Sequence, residues 1–374
     1  MSGVYLHIPF CKKACTYCDF HFSTSLGNVD AMVNAIVTEA ELRHNYLPLN
    51  EKLESIYFGG GTPSILAPAM IERMVEKLNH LFVWDKNIEI TLEANPDDID
   101  LQNLASWKKN GINRLSIGLQ SFTDDELRWM NRAHTAEESV SSVKRAQDAG
   151  FDNITIDLIY GSKFQNILSW QETLKKAIAL NTQHISAYNL TIENKTALGV
   201  NHAKGKEPSV SEELSSLQFQ EMRRQLLEAG FMHYEISNFG KEGFLARHNS
   251  NYWKGKSYLG LGPSAHSFNG VSRQWNLKNN AKYVQLVSSR EVFFEIEQLT
   301  EKDRYNEYVL TRLRTIWGCD IEEMTNLFGE EKVRYFENGI TAFKGFYEKK
   351  NNIYVLNENG KLKADGIASE LFLL

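Results

Sequence analysis

The stretch Tyr5-Leu-His-Ile-Pro-Phe-Cys11-Lys-Lys-Ala-Cys15-Thr-Tyr-Cys18 joins a short alternating strand to a CxxxCxxC triad. The chain has 374 residues and four cysteines, and three of the four lie in this one loop. Thiolates gathered so closely are soft ligands for a metal or an iron–sulfur cluster. A tetrahedral zinc site or a complete four-iron cluster takes four ligands, and the loop offers three. Either a fourth side chain arrives from elsewhere, with His7 and His21 the nearest for a structural zinc site, or one metal position stays open. A disulfide framework suits neither the odd count nor the clustering. Cys319 lies far along the chain in a helical context and reads as a buried, inert thiol.

Outward from the triad, the first two thirds of the sequence alternates short apolar strands with amphipathic helices. That is the pattern of β–α units on a parallel sheet. Strands are expected at 4–8, 54–58, 88–95, 114–120, 154–160 and 184–192. Helices are expected at 30–46, 68–81 and 167–180, with another opened by the capping box Thr135-Ala-Glu-Glu138. Six units predict an α/β fold built on a partial (β/α)6 TIM-like barrel, with a closed eight-unit barrel as the alternative. Along the strands Val4, Leu6 and Ile8 alternate with Tyr5 and His7, and Ile88, Ile90 and Leu92 with Glu89, Thr91 and Glu93. Leu115, Ile117 and Leu119 alternate with Ser116, Gly118 and Gln120, and Ile154, Ile156 and Leu158 with Thr155 and Asp157. Side chains alternate faces along a strand, so the apolar set faces the helices. Tyr5, Glu93, Gln120 and Asp157 then point inward near the strands' carboxyl ends, where barrel enzymes hold their chemistry.

Further on, a long helix is expected over 210–230 and a strand over 233–240. His248-Asn249-Ser250-Asn251-Tyr252-Trp253 follows. An imidazole is a competent axial ligand for heme iron and flanking aromatics suit a porphyrin plane, although a histidine among aromatics also serves as a plain hydrogen-bonding core residue. Gly260-Leu-Gly262-Pro-Ser-Ala265 mimics a dinucleotide fingerprint, but it carries a proline and opens no helix, so it reads as a tight turn leading to His266. A linker is expected over 276–282. Helices at 303–316, 321–328 and 331–343 precede strands at 353–356 and 361–364, which flank Asn359-Gly360, a hairpin signal. Three helices and a two-stranded wing suggest a small α+β winged-helix-like domain. The expected organisation is therefore a barrel with its cysteine loop over 1–200, an extension over 201–285 and the C-terminal domain over 286–374. A net charge of −6 argues against a nucleic-acid partner. No signal peptide or membrane-spanning run is apparent, and thiols kept reduced suit the cytoplasm, with peripheral membrane contact open.

The triad and its preceding strand, with Gly59-Gly-Gly-Thr-Pro63, resemble the radical S-adenosylmethionine (SAM) enzymes. Within them the chain is most similar to the oxygen-independent coproporphyrinogen III oxidases and their relatives, the heme chaperones of the HemW type. The resemblance runs from Tyr5 to about His266. It implies that Cys11, Cys15 and Cys18 bind a [4Fe–4S] cluster whose open iron is chelated by SAM. It implies that Tyr5 sits beside cluster and SAM, that Gly60, Gly61 and Thr62 approach the methionine amino group, and that Glu93, Gln120 and Asp157 bond that amino group and the ribose. Arg132 is then the partner of the SAM carboxylate and Tyr17 an aromatic shield of the cluster. The HNxxYW run resembles a motif associated with heme binding, with His248 as the heme residue. The resemblance implies a heme chaperone serving respiratory-chain hemoproteins, as monomer or homodimer. The alternative is an oxidase that decarboxylates coproporphyrinogen III to protoporphyrinogen IX. Three departures favour the chaperone: Phe20 stands where the oxidases have a further cysteine, no extension of theirs precedes Tyr5, and the HNxxYW run is complete.

Overall fold

The computed structural model describes residues 2–48 and 51–374. The chain begins β1 (Ser2–Ile8), α1 (Val29–Leu42), β2 (Leu53–Gly60), α2 (Pro68–Leu81), β3 (Trp84–Ala94), α3 (Leu101–Lys109), β4 (Arg114–Gln120), α4 (Asp124–Trp129), α5 (Ala136–Asp148), β5 (Ile154–Tyr160), α6 (Ile167–Ala179) and β6 (His184–Asn189). The six strands pair in parallel in sequence order. Their alternation drives the layering. Leu6, Phe58, Leu92, Ile117 and Ile156 are fully buried in one core with Met74, Trp107, Val143 and Trp170 from the helices. The capping box that opens α5 is formed, with Thr135 Oγ1 accepting from the Glu138 amide at 3.2 Å and the Glu138 carboxylate from the Thr135 amide at 2.7 Å.

The chain continues α7 (Ala197–Ala203), α8 (Glu212–Glu228), β7 (Met232–Glu235), β8 (Asn238–Gly240), α9 (Arg247–Trp253), β9 (Tyr258–Leu261), β10 (His266–Phe268), β11 (Ser272–Asn276), α10 (Asn280–Ser289) and β12 (Phe294–Gln298). These strands extend the barrel sheet at both edges, giving the order β12-β11-β10-β9-β1-β2-β3-β4-β5-β6-β8-β7. The sheet is open and the consecutive β–α units stop at six, as the partial-barrel reading expects, while β9 adds a seventh parallel strand beside β1. Three local expectations are corrected. The strand expected over 233–240 is a hairpin, because Glu235 turns the chain by accepting from the Ser237 amide and Asn238 Nδ2. The linker expected over 276–282 is the end of β11 and the start of α10, with Asn279 capping the Lys282 amide at 2.9 Å. The pairing of β11 with β12 carries the sheet on to Gln298, past the boundary expected at 286.

What fastens this extension is a buried ion pair. Glu39 on α1 is fully buried and accepts from Arg43 Nη1 at 2.9 Å, the Gly262 amide at 2.8 Å, Asn276 Nδ2 at 2.8 Å and the Tyr283 hydroxyl. Arg43 in turn donates to Gly260 O, Ser267 Oγ and Gln274 Oε1. A paired charge out of water needs its lone pairs and protons satisfied, and here both Glu39 oxygens and both terminal nitrogens of Arg43 have partners.

A second core gathers α11 (Glu301–Leu313), β13 (Cys319–Asp320), α12 (Ile321–Ile340), β14 (Tyr347–Lys350), β15 (Ile353–Leu356), α13 (Glu358–Lys361) and α14 (Ala364–Glu370). Helix α12 is broken at Gly329 (φ 81°), so the order is helix, strand, two helices and two wing strands, a winged-helix arrangement. The wing turn is at Asn351, in the left-handed region at φ 54°, and not at Asn359-Gly360. The latter pair lies in α13, where Asn357 caps the Gly360 amide at 3.1 Å. Gly360 is needed for close approach, since a Cβ there would meet Phe346 O at 2.0 Å. Cys319 is fully buried in this core, and burial pushes its thiol far up. The unit abuts the barrel through the Ile316 amide on Tyr234 O (3.0 Å), Arg314 on Glu235 (3.4 Å) and Lys361 Nζ on His233 O (3.3 Å).

Candidate functional site

At the carboxyl ends of the parallel strands a cavity of about 500 Å3 opens. Its walls include Cys11, Cys15, Tyr17 and Cys18 from the loop after β1, Gly60, Gly61 and Thr62 after β2, Glu93 and Asn95 at the end of β3, Gln120 on β4, Arg132, and Asp157 on β5. Eleven residues of the sequence reading are thus brought to one place. Tyr5 and His248 are not among the lining residues.

The cysteine loop is pinned by backbone contacts at both ends. The Cys11 amide donates to Ser23 O at 3.0 Å, the Thr16 amide to Met130 O at 3.1 Å, and the Leu198 amide to Thr16 O at 2.8 Å. Asn131 Nδ2 donates to Ala14 O at 2.8 Å, and Tyr17 packs on Met130, Ile159, Leu190 and Leu198. Burial pushes the Cys11 thiol up and the Cys18 thiol up to about 11. Among the described residues no three His, Cys, Asp or Glu side chains close around one point, so the thiols form no ready single-ion site. Neither histidine of the zinc alternative completes one. His7 Nε2 bonds His21 O at 2.8 Å and His21 Nε2 bonds Asn280 Oδ1 at 2.7 Å, away from the cavity.

The opposite wall is acidic. Burial raises Glu93 to about 7, and the neighbouring Asp157 adds to the rise against the Tyr57 hydroxyl, which donates to Glu93 Oε1 at 2.8 Å. Burial likewise raises Asp157 to about 6, although Ser116 Oγ donates to it at 3.2 Å. Two carboxyls held near neutrality are poised to take up a cation, which would favour their ionised forms. Between the walls Arg132 donates Nη2 to Asn95 Oδ1 (2.8 Å) and Gly118 O (2.6 Å), with Nη1 at 3.6 Å from Cys15 Sγ. Its buried Nε has no partner among the described residues. A guanidinium with an open donor beside a cavity suits a ligand carboxylate. Gly60 (φ 106°) and Gly61 line the cavity because the chain passes tightly over β1 here, a Cβ on Gly61 standing 2.6 Å from Phe10 O and 2.8 Å from Ile8 O. The donor set and the open guanidinium fit a cluster with an amino-acid chelator.

Tyr5 forms a layer beneath the cavity with Tyr57, their rings 6.1 Å apart. His248 lies deeper still, 3% exposed, with Nδ1 facing Ser55 Oγ at 2.9 Å and Nε2 facing Tyr252 OH at 3.1 Å. Both nitrogens are engaged, and burial pushes the imidazole down to about 3. Sequence reasoning missed Asn95, Ser116, Tyr57 and Tyr188. Tyr57 was reachable, because Ser55, Tyr57 and Gly59 alternate with Ile56 and Phe58 as Tyr5 does with its neighbours. At the mouth Phe20 is 68% exposed and Tyr188 44% exposed, an apolar rim beside polar walls.

Residues 5–177 match the family model of the radical SAM superfamily. The chain is 30% identical over 368 residues to the heme chaperone HemW of Bacillus subtilis, covering 97% of both chains. It is 37% identical over 268 residues to the mitochondrial radical S-adenosyl methionine domain-containing protein 1 of Mus musculus, covering 71% of this chain and 60% of that one. The structure of coproporphyrinogen III oxidase (HemN) from Escherichia coli, a radical SAM enzyme, superposes with a TM-score of 0.85 at 24% identity, covering 99% of this chain and 90% of that one. At that identity the last likeness speaks for the fold alone. Among the described residues no helix is long and apolar enough to cross a membrane.

Proposed function

The chain belongs to the radical SAM superfamily, among the relatives of the heme chaperone HemW, and from that membership we propose that it binds heme and hands it to a hemoprotein acceptor. The observation that carries the reading is the likeness to HemW over 97% of both chains. Membership in the superfamily implies a [4Fe–4S] cluster and SAM. We assign the cluster to Cys11, Cys15 and Cys18, leaving one iron for SAM. Arg132 then takes the SAM carboxylate, Gly60, Gly61 and Thr62 line its amino group, and Glu93, Gln120 and Asp157 hold the amino group and ribose. Tyr17 flanks the cluster, and Tyr5 supports the site from the layer below. A cluster held there would supply single-electron chemistry toward SAM. The protein's own part is to orient the chelator, exclude water and keep two carboxyls near neutrality.

The heme assignment to His248 carries a structural condition. Either nitrogen reaches an iron only by giving up its bond to Ser55 or to Tyr252. Hemin titration with a Soret shift, followed by transfer to an apo-hemoprotein, tests the reading. Conversion of coproporphyrinogen III to protoporphyrinogen IX by the cluster-loaded protein, with SAM and a reductant under anaerobic conditions, would overturn it in favour of the oxidase.

A further inference from the structure

We infer that His248 is a positioning residue for Glu93, acting across the sheet through the ring of Tyr57. The imidazole stacks on Tyr57 with centroids 5.1 Å apart and planes 27° from parallel, and on Tyr5 at 6.2 Å. Tyr57 passes the placement on, because its hydroxyl donates to Glu93 Oε1 at 2.8 Å. His248 itself is fixed from three directions: Ser55 on β2, Tyr252 on its own helix, and Glu89, whose carboxylate accepts from the Arg247 amide at 3.0 Å and the His248 amide at 3.2 Å.

There is no slack in this stack. A Cβ on Gly59 would stand 2.9 Å from Tyr57 and 3.0 Å from both Glu93 and Tyr5. A Cβ on Gly3 would stand 2.8 Å from Ser55 Oγ and 3.2 Å from His248. Two glycines on adjacent strands thus let the rings approach, and a ring seated this tightly transmits a displacement instead of absorbing it. Removing the imidazole leaves a ring-sized gap behind Tyr57, into which that ring relaxes, lengthening its bond to Glu93. The other titratable groups facing Glu93 are Tyr5 on β1, Asp157 on β5, Tyr188 on β6 and the Cys11 thiol, and none of them touches His248 except Tyr5.

The test has one readout free of any cofactor and one that rests on the cavity's being the SAM site. In the first, the Glu93 carboxyl is titrated by 13C NMR in heme-free, SAM-free protein. Tyr57→Phe should raise its midpoint by about one pH unit, the effect of one lost hydrogen bond to a carboxylate. His248→Ala should raise it in the same direction. The double variant should shift no further than Tyr57→Phe alone, because both changes remove one bond. An unchanged midpoint in His248→Ala, or shifts that add in the double variant, would overturn the inference. Should His248→Ala not fold, His248→Gln keeps a polar reach to Ser55 without the ring and should shift alike. In the second readout, SAM affinity of heme-free, cluster-loaded protein should fall several-fold in His248→Ala. A parent protein that binds no SAM would sink the cofactor reading, while the NMR midpoints would still decide the positioning role.

Discussion

At the scale of single residues, the cavity is defined by groups whose charge is held back. The fold keeps Glu93 at about 7 against an ordinary 4.5, so the neutral acid is the form it favours. For a raised acid the stabilising contribution is complete below the ordinary value and is lost as pH rises through the folded one. Ligand-free protein should therefore lose up to roughly 3 kcal/mol between about pH 5 and pH 8 from this group. Glu93→Gln should flatten that part of a Tm-versus-pH profile. The thiols give a second expectation: Cys15→Ser should abolish the visible absorbance of a cluster reconstituted with iron and sulfide, and a variant that keeps full cluster content would remove the triad from the site. Much at this scale was legible from alternation. Glu89 and Glu93 share a strand face in sequence, yet only the structure separates their depths: Glu89 caps α9 while Glu93 meets the cavity. Gln120 follows the alternation only because the register slips between Gly118 and Gln120, whose φ of 65° aims it inward. His248 sits as a buried hydrogen-bonding histidine, one of the two readings its chemistry allowed, but nothing in its neighbours in sequence reveals Ser55 waiting across the fold.

At the scale of elements, the parallel strands and their helices were readable because each is long, periodic and capped. The later strands were not. β9 to β12 are three to five residues each, too short for a period to emerge. Their placement depends on Glu39 and Arg43, polar residues inside an amphipathic helix that look solvent-facing in sequence. Arg43→Ala leaves Glu39 buried with its charge unpaired and should cost about 3–5 kcal/mol. Chemical denaturation would measure it. An equal loss in Glu39→Gln/Arg43→Met would show that burial, not pairing, sets the cost. The same scale explains the misplaced hairpin. Asn-Gly reads as a turn when glycine supplies a positive φ, but Gly360 instead clears space for Phe346. Beside the cavity, Gly61→Ala would drive a methyl into the Ile8 and Phe10 carbonyls, which cannot swing away. It should weaken SAM binding at least as much as it lowers stability, measured by calorimetry on cluster-loaded protein.

At the scale of the whole molecule, barrel and winged-helix unit meet through paired groups, among them Arg314 with Glu235 and the Ile316 amide with Tyr234. Trp317 and Trp253 lie at this junction, each under a cation, Lys254 at 4.1 Å and Arg314 at 5.4 Å. Unfolding followed by tryptophan fluorescence should therefore coincide with unfolding followed by far-UV circular dichroism. Two separated transitions would show that the units melt independently. The order of strands carries a further consequence. β1 is flanked on one side by β2 and on the other by β9, pairing Gly3 with Tyr258. During synthesis the earliest strand thus waits, one edge bare, until most of the polypeptide has left the ribosome. Pairings so distant in sequence form slowly, and an unfinished sheet edge invites aggregation. For this protein, then, the vulnerable interval lasts beyond synthesis of the last cavity residue, and a helper that shields nascent chains would bear on its yield more than on its finished stability.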